Sequence, residues 1–483
     1  VTLLMPNCPQ FIISQLAAWQ AGAIVVPLNP LYSEEELEFA LNSSGATTAI
    51  VLSLYYHKLK ALQGHTALQR IIVTNIKECL PWPKRLLFTV AKEKQEGHRV
   101  ELKPGDRWLP ALIREGQGAG QPPVTPGPDD PALLMFTGGT TGRSKAALST
   151  HGGLLAAAMQ IRAWLGDTCV DWEDRILLLL PMFHTYGNIA ALGAALFAHL
   201  PMVPIPNPRD LDDLVATIGA ERPAFLTGVP TLFIALLNHP QVRAGRANFR
   251  SLKLCLSGAA PLLLETKQRF EALTGGRILE GYALTESVMA TVMTPVNGVY
   301  KSGSVGLPLP DVEVRIVAPE DEAQDLPVGE VGHILLRAPQ IMRGYWEDPQ
   351  QTAETLRDGW LLTGDLGYLD SDGYLFLVDR LKDLIKVSGY QVWPREVEEA
   401  LATHPAVTEV GVSGVPDPLR GEVVKAWVVL QGEERPTEAD LRAYCRERLV
   451  PYKVPRSIEF CESLPKSAVG KVLRRKLGEA TPQ

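Results

Sequence analysis

The sequence has no uninterrupted apolar run of the roughly 20 residues that a membrane-spanning helix needs. Its most apolar long stretch, residues 188–206, is broken by Gly193, His199, Pro201 and Pro204. It reads as a core helix followed by a loop. Paired cysteines are lacking too. Cys8, Cys79, Cys169, Cys255, Cys445 and Cys461 are scattered, with no Cys-x-x-Cys. That spacing argues against zinc or a disulfide framework and for buried thiols in a reducing compartment. Positive charge is not in excess. Lys and Arg number 47 against 54 Asp and Glu, a net charge of −7, so nucleic acid is not an expected partner. No repeat, low-complexity tract or signal peptide is visible. The chain opens at Val1 with residues that already look like a strand, so its natural N-terminus is expected upstream.

What is present is an ordinary globular composition. Of 483 residues, 46% are hydrophobic and 21% charged, enough for two to four domains of about 100–200 residues each. Over residues 1–75 helix and strand signals alternate. Residues 11–21 read as a helix, 23–26, 46–52 and 70–74 as strands, and Ser33 with Glu34, Glu35 and Glu36 as a capped helix start. Such alternation predicts a mostly parallel sheet with helices on its faces. The pattern resumes after a proline-rich loop at 119–131, with buried strands at 176–180, 224–227 and 252–256. Beyond Pro308 the texture is β-rich, and the last hundred residues read as a small α+β unit. Residues 81–94 are basic, aromatic and amphipathic. They are compatible with lying on a membrane surface, although a solvated helix packed on its own domain is the commoner arrangement and the expected one.

The stretch Phe136-Thr137-Gly138-Gly139-Thr140-Thr141-Gly142-Arg143-Ser144-Lys145 stands out. It follows the apolar run 131–136, read as a buried strand, and precedes 154–159, read as a helix. Strand, glycine–threonine loop, lysine and helix make a phosphate cradle. Glycines admit oxygens close to backbone N–H groups. Thr137, Thr140 and Thr141 offer hydroxyls and Lys145 a point charge. It is not a Walker A loop, because Lys145 follows Ser144 and precedes Ala146. A flexible surface turn is the competing reading.

Three further motifs carry chemistry. In Gly281-Tyr282-Ala283-Leu284-Thr285-Glu286, downstream of Ser257-Gly258-Ala259-Ala260-Pro261, a tyrosine can stack on a base and a threonine can donate to a phosphate. The glutamate can hold Mg²⁺ between phosphates, though alone it reads as a solvated loop residue. In the segment 360–383, Asp365 and Arg380 offer the acceptor and donor that ribose hydroxyls take. The plainer reading is a hairpin turn at Asp365 and a surface ion pair between Asp379 and Arg380. Lys471, after Gly470 in the tail, is by itself an ordinary solvent-facing charge.

In this order and spacing the four motifs resemble the adenylate-forming superfamily: acyl-CoA synthetases, firefly-type luciferases and the adenylation domains of peptide synthetases. The resemblance runs over essentially the whole chain. It is nearest to bacterial long-chain fatty-acid–CoA ligases, through residues 137–142, 206–210, 227–233, Gly344-Tyr345-Trp346 and the segment 358–380. The fold it implies is α/β. A large N-terminal domain, 1–379, has mostly parallel sheets flanked by helices plus a β-rich subdomain. A hinge at 380–382 joins it to a small mobile α+β C-terminal domain, 383–483.

The resemblance also implies roles. Residues Thr137, Gly138, Gly139, Thr140, Thr141, Gly142 and Lys145 embrace the β- and γ-phosphates of ATP. Gly258, Ala259, Ala260, Pro261, Gly281 and Tyr282 line the adenine. Thr285 meets the α-phosphate, Glu286 the Mg²⁺, and Asp365 with Arg380 the ribose. Lys471 reaches the α-phosphate and the carboxylate, Lys382 is the pivot, and Ser388, Gly389 and Tyr390 line the coenzyme A tunnel. His184 gates the acyl pocket. Gly138, Ser144 and Ala146 depart from the family's usual Ser or Thr, Pro and Gly. The activity implied is ATP-dependent conversion of a fatty acid to acyl-AMP and then to its coenzyme A thioester. The setting implied is the cytoplasm or the inner face of a membrane, with room for a homodimer. No acidic residue lies in 183–186 to pair an amino-acid ammonium. Ala190, Ala191, Gly193, Ala194 and Ala195 either leave space for an alkyl tunnel or pack a helix tightly. A ligase for medium-chain or aryl acids, and a catalytically silent acyl- or nucleotide-binding protein, are the competing readings.

Overall fold

A computed structural model describes residues 1–120, 122, 124–137, 144–260, 262–432, 435–466 and 472–479. The strands Val26–Pro27, Thr2–Leu4, Thr48–Leu52, Arg70–Thr74 and Arg107–Trp108 lie side by side in an all-parallel sheet. Parallel neighbours need crossovers, and the helices Pro9–Gln20 and Glu34–Ser44 supply two of them. The second starts where expected. Ser33 accepts from the Glu36 N–H while the Glu36 carboxylate accepts from the Ser33 N–H, and Gly45 closes the helix in the left-handed region.

A larger sheet changes character part-way across. Ile176–Leu178, Phe225–Gly228, Leu254–Ser257 and Arg277–Ala283 run parallel. From Gly281 the last of these pairs antiparallel with Ala290–Met293, and the sheet then continues antiparallel through Ser304–Pro308, Leu375–Arg380, Trp360–Leu369, Gly332–Arg337 and Glu313–Ala318. The α/β class and the β-rich texture after residue 308 are therefore both present. Residues from 385 onward build a separate five-stranded sheet. The helices Pro394–Ala402 and Glu438–Arg446 close its own core of Val397, Leu401, Val412, Ala426, Val428 and Leu441.

Four expectations are corrected. Lys145 is followed not directly by a helix but by the strand Ala146–Thr150, antiparallel to Pro131–Phe136. The helix His151–Leu165 begins only after Thr150 caps it by accepting from the Gly153 N–H at 3.1 Å. Within residues 188–206 the helix is π-helical at Tyr186–Gly193 and α-helical at Ala194–Phe197. The part read as loop holds the strand Met202–Pro204, beside Ile176–Leu178, where an edge position tolerates Pro204. Five cysteines are buried but Cys79 is exposed. The helix Trp82–Ala91 is solvated and rests on its own domain through Phe88 against His98, but it has no buried residue and leaves Trp82, Leu86, Leu87 and Val90 exposed, so the expected packing is only partial.

Gly306 shows how tightly the antiparallel half is assembled. Its φ is +106°, and a Cβ there would sit 2.1 Å from the Met293 carbonyl. Gly303, at φ +81°, has open space around it. Gly306→Ala is expected to lower the thermal midpoint well below that of Gly303→Ala. Both variants carry the left-handed strain of about 1–2 kcal/mol, but overpacking adds about 1–3 kcal/mol only in the first. Scanning calorimetry of the two variants checks this.

Candidate active site

Tyr282 lies where the strand Arg277–Ala283 passes from parallel to antiparallel pairing. Its buried hydroxyl donates to Asp365 Oδ2 at 2.7 Å. Desolvation and the Asp365 carboxylate hold the phenol pKa well above its ordinary value, so the tyrosine is a neutral donor. Arg380 Nε contacts Asp365 Oδ1 at 2.9 Å. The register places Asp365 directly opposite Arg380 on adjacent strands. Burial disfavours the Arg380 charge, but Asp365, Tyr282, Asp383 and Glu286 together outweigh it and the guanidinium pKa is raised. Asp365 thus sits within a strand, not in a turn, and Arg380 pairs with it and not with Asp379.

Glu286 follows in a turn held by Ser287, whose buried hydroxyl accepts from the Leu284 N–H at 2.9 Å and donates to the Met289 carbonyl at 2.8 Å. Val288 takes a left-handed φ of 64° in this turn, a strained setting for a β-branched residue. Thr285 and Glu286 are half-buried. Glu286 Oε1 accepts from the Tyr345 hydroxyl at 2.7 Å. Tyr345 lies on the short strand Gly344–Tyr345 against Ala147–Leu148, and Lys145 Nζ stands 5.1 Å from the centre of its ring. Lys145 Nζ also donates to Gln351 Oε1. Lys145 and Glu286 are in this way joined through one tyrosine. At the base of the cradle the Thr137 N–H donates to the Lys145 carbonyl at 2.7 Å. Gly138, Gly139, Thr140, Thr141, Gly142, Pro261 and Lys471 lie outside the described residues.

A third wall comes from the ends of the parallel strands. Gly258 N donates to the Gly228 carbonyl at 3.3 Å, and a Cβ on Gly258 would come within 3.0 Å of the Tyr186 ring. Ala259 is left-handed at φ 68°, a conformation costing an alanine about 1–2 kcal/mol. Ala260 is exposed beside it. Two residues before Tyr186, His184 is half-buried, and burial pushes its pKa down to about 4. The small residues beyond are packed against the helix His151–Leu165. Ala190 and Ala194 line an apolar cavity of only about 20 Å³, so the packing alternative, not an open tunnel, describes this conformation.

Lys382 is exposed in the turn Leu381–Asp383, where desolvation and repulsion from Arg380 lower its ammonium pKa. Ser388 and Gly389, at φ 51° and 85°, form the two-residue turn of the hairpin Ile385–Val387 with Tyr390–Val392. Tyr390 stacks on Tyr452 with ring centres 4.6 Å apart. Among the described residues no hydrogen bond, ion pair or ring contact joins 388–390 to Glu286 or Asp365. Four partners were not among the expected site residues: Ser287, Tyr345, Gln351 and Arg474. Arg474 binds Asp379 at 2.8 Å, Asp383 at 3.0 Å and Glu398 at 2.7 Å. Only Tyr345 had a signal, in the Gly344-Tyr345-Trp346 stretch.

A chain of this architecture, with polar groups gathered at the carboxyl ends of parallel strands, matches a known class. The AMP-binding enzyme profile matches residues 1–346, and that of the AMP-binding enzyme C-terminal domain matches residues 396–471. The chain is 40% identical over 481 residues to the long-chain-fatty-acid–CoA ligase of Bacillus subtilis (strain 168), covering 99% of this chain and 85% of that one. It is 36% identical over 478 residues to a feruloyl-CoA synthase of an Amycolatopsis species, covering 98% and 87%. ATP-bound MatB from Rhodopseudomonas palustris superposes with a TM-score of 0.84 at 28% identity, covering 99% and 88%. The chain belongs to the AMP-binding enzyme family. It is an AMP-forming acyl-CoA ligase, whose substrates are an acid, ATP and coenzyme A.

The depressed pKa of His184 has a consequence for stability. An unfolded imidazole takes up its proton near pH 6.5, the folded one only near 4. Between these values the unfolded chain binds more protons, so this contribution to stability is full above pH 6.5 and is lost as pH falls toward 4. His184→Phe is expected to lose less stability than the parent between pH 7 and 5, read from denaturant midpoints.

Proposed function

We propose that this ligase acts on long-chain fatty acids. The acid's carboxylate attacks the α-phosphorus of ATP, forming acyl-AMP and expelling pyrophosphate. The coenzyme A thiol then gives up its proton and attacks the acyl carbonyl, expelling AMP. The observation that carries the choice of acid is the Phe183-His184-Thr185-Tyr186 segment, which abuts Gly258 and holds no anionic group. With His184 neutral at physiological pH, nothing there would pair an amino-acid ammonium, whereas an uncharged tail meets apolar neighbours. The fatty-acid ligase relative supports the same reading.

The roles follow from charge. Oδ2 of Asp365 accepts one bond from Tyr282 and Oδ1 faces Arg380. Each carboxylate oxygen has a second lone pair free, which suits ribose hydroxyls. The face of Tyr282 with Gly281, Gly258, Ala259, Ala260 and Pro261 would take the adenine. Thr137, the 138–142 loop and Lys145 would take the outer phosphates, and Thr285 the α-phosphate. No cluster of three His, Cys, Asp or Glu suited to a metal exists among the described residues. Glu286 offers Oε2 beyond the oxygen engaged by Tyr345, and a single carboxylate completed by substrate phosphates fits Mg²⁺. Such an ion would neutralise phosphate charge. Lys471 would approach the α-phosphate and carboxylate, and a pivot at Lys382, between domains 1–379 and 383–483, would exchange it for Ser388, Gly389 and Tyr390. The setting is cytoplasmic with peripheral membrane contact.

A second reading, a ligase for aryl or shorter acids, is favoured by the feruloyl-CoA synthase relative. Thioester formation over a series from hexanoate to octadecanoate, with ferulate and benzoate alongside, separates the two. The long-chain reading expects kcat/KM to rise with chain length. A maximum at an aryl acid replaces it with the second, and no turnover of any acid leaves a silent binding protein. Lys471→Ala is expected to cut acyl-AMP formation at least about a hundredfold, while thioester formation from supplied acyl-AMP stays within a few-fold of the parent. Equal loss of both steps overturns the role given to Lys471.

A further inference from the structure

The helix Trp82–Ala91 presents its apolar side to solvent. Trp82 is 77% exposed, Leu86 58%, Leu87 68% and Val90 81%. At about 100° per residue these four, with Pro83, fill a single arc of about 140°. Phe88 points the opposite way. It packs edge-on against the buried His98, with ring centres 5.6 Å apart. Lys84 and Arg85 flank the arc on its two sides, both exposed. The turn after the helix adds exposed Lys92 and Lys94. The acids nearby are already engaged. Glu93 is buried and bonded to Lys77 at 2.6 Å, Glu96 stands 3.5 Å from Lys92, and Glu78 accepts from Thr74 with Arg85 close by. Four cations against one exposed acid mark this corner of a chain whose net charge is −7.

A helix pinned by one aromatic, with a flat apolar arc facing out and cations beside it, is what a lipid–water interface accepts. The apolar side chains enter the acyl region while lysine and arginine reach anionic headgroups. We propose that Trp82–Ala91 is a docking helix for an anionic bilayer surface, which would bring this ligase to the phase in which long acids partition. The choice of a lipid surface rests on the charge complementarity. The benefit to catalysis rests on the fatty-acid reading above, but the docking itself does not.

The test uses the full chain and extruded vesicles of phosphatidylcholine with or without one-third phosphatidylglycerol. Flotation is expected to recover the protein with the anionic vesicles and at least tenfold less with the neutral ones. Combining Trp82→Ser, Leu86→Ser, Leu87→Ser and Val90→Ser should abolish flotation. Combining Lys84→Gln, Arg85→Gln, Lys92→Gln and Lys94→Gln should remove the preference for phosphatidylglycerol. Both variants alter exposed side chains and should keep the parent's thermal midpoint and its turnover of a short, water-soluble acid. Flotation unchanged by the serine set overturns the proposal. So does a parent that ignores both vesicle types, or one that forms a dimer dissolved by the serine set while binding no lipid. Failure of the long-chain assay with flotation intact would remove the choice of acid and leave the docking helix standing.

Discussion

A carboxylate taken out of water has to be matched by partners or it takes up a proton. Asp365 is 9% exposed in its side chain, and it is matched twice, by a phenol from one strand and a guanidinium from another. Breaking a buried pair by removing one partner costs about 3–5 kcal/mol. This one requirement therefore ties together Arg277–Ala283, Trp360–Leu369 and Leu375–Arg380 at the place where the large sheet changes from parallel to antiparallel. The same requirement leaves the carboxylate pre-aimed, with lone pairs to spare, beside the ends of the parallel strands where ligands of such sheets gather.

A second network governs how the small C-terminal unit meets the large one. Asp379 has a side chain only 2% exposed, and it accepts from the backbone N–H groups of Arg380 and Arg395 and from Arg474. Arg474 also binds Asp383 and Glu398. Lys382 stands between Asp379 and Asp383, so a pivot there would carry Asp383, Glu398, Arg395 and Arg474 away from Asp379. Two residues, Val472 and Leu473, separate Lys471 in the sequence from the arginine that makes this attachment. Arg474 thus ties Asp379 of the large unit to Asp383 and Glu398 by charge-assisted bonds, each worth about 1.5–3 kcal/mol net.

Much of the site was readable in advance because its residues come in short stretches whose chemistry is local. Asp365 and Arg380, Thr285 and Glu286, and the stretch with Lys145 each have a plain reading alone and stand out only as a set in one order; the structure pairs Asp365 with Arg380 and links Glu286 to Lys145 through Tyr345. Tyr345 and Arg474 do not stand out, because each acts on a group far away in sequence, and Ser287 does not, because a single serine in a turn does not show which neighbours it bonds. The strand Ala146–Thr150 went unseen for a similar reason. Five residues rich in alanine and serine carry almost no period-2 signal, and only pairing with Pro131–Phe136 makes them a strand. The π-helical turn at Tyr186–Gly193 likewise depends on what it packs against.

The order of strands and helices, the capped start at Ser33, the parallel first sheet and the types of residue available to a nucleotide were determined by the sequence itself. Periodicity, capping and loop chemistry act over a few neighbours. Three things were decided only by the tertiary structure. Asp365 takes Arg380 and not leaves it to Asp379, because strand register sets which side chains face each other. Glu286 reaches Lys145 through Tyr345, because a distant strand lies down beside the cradle. The apolar stripe of Trp82–Ala91 faces outward, because an amphipathic pattern specifies that one side differs from the other but not which side the rest of the chain will cover.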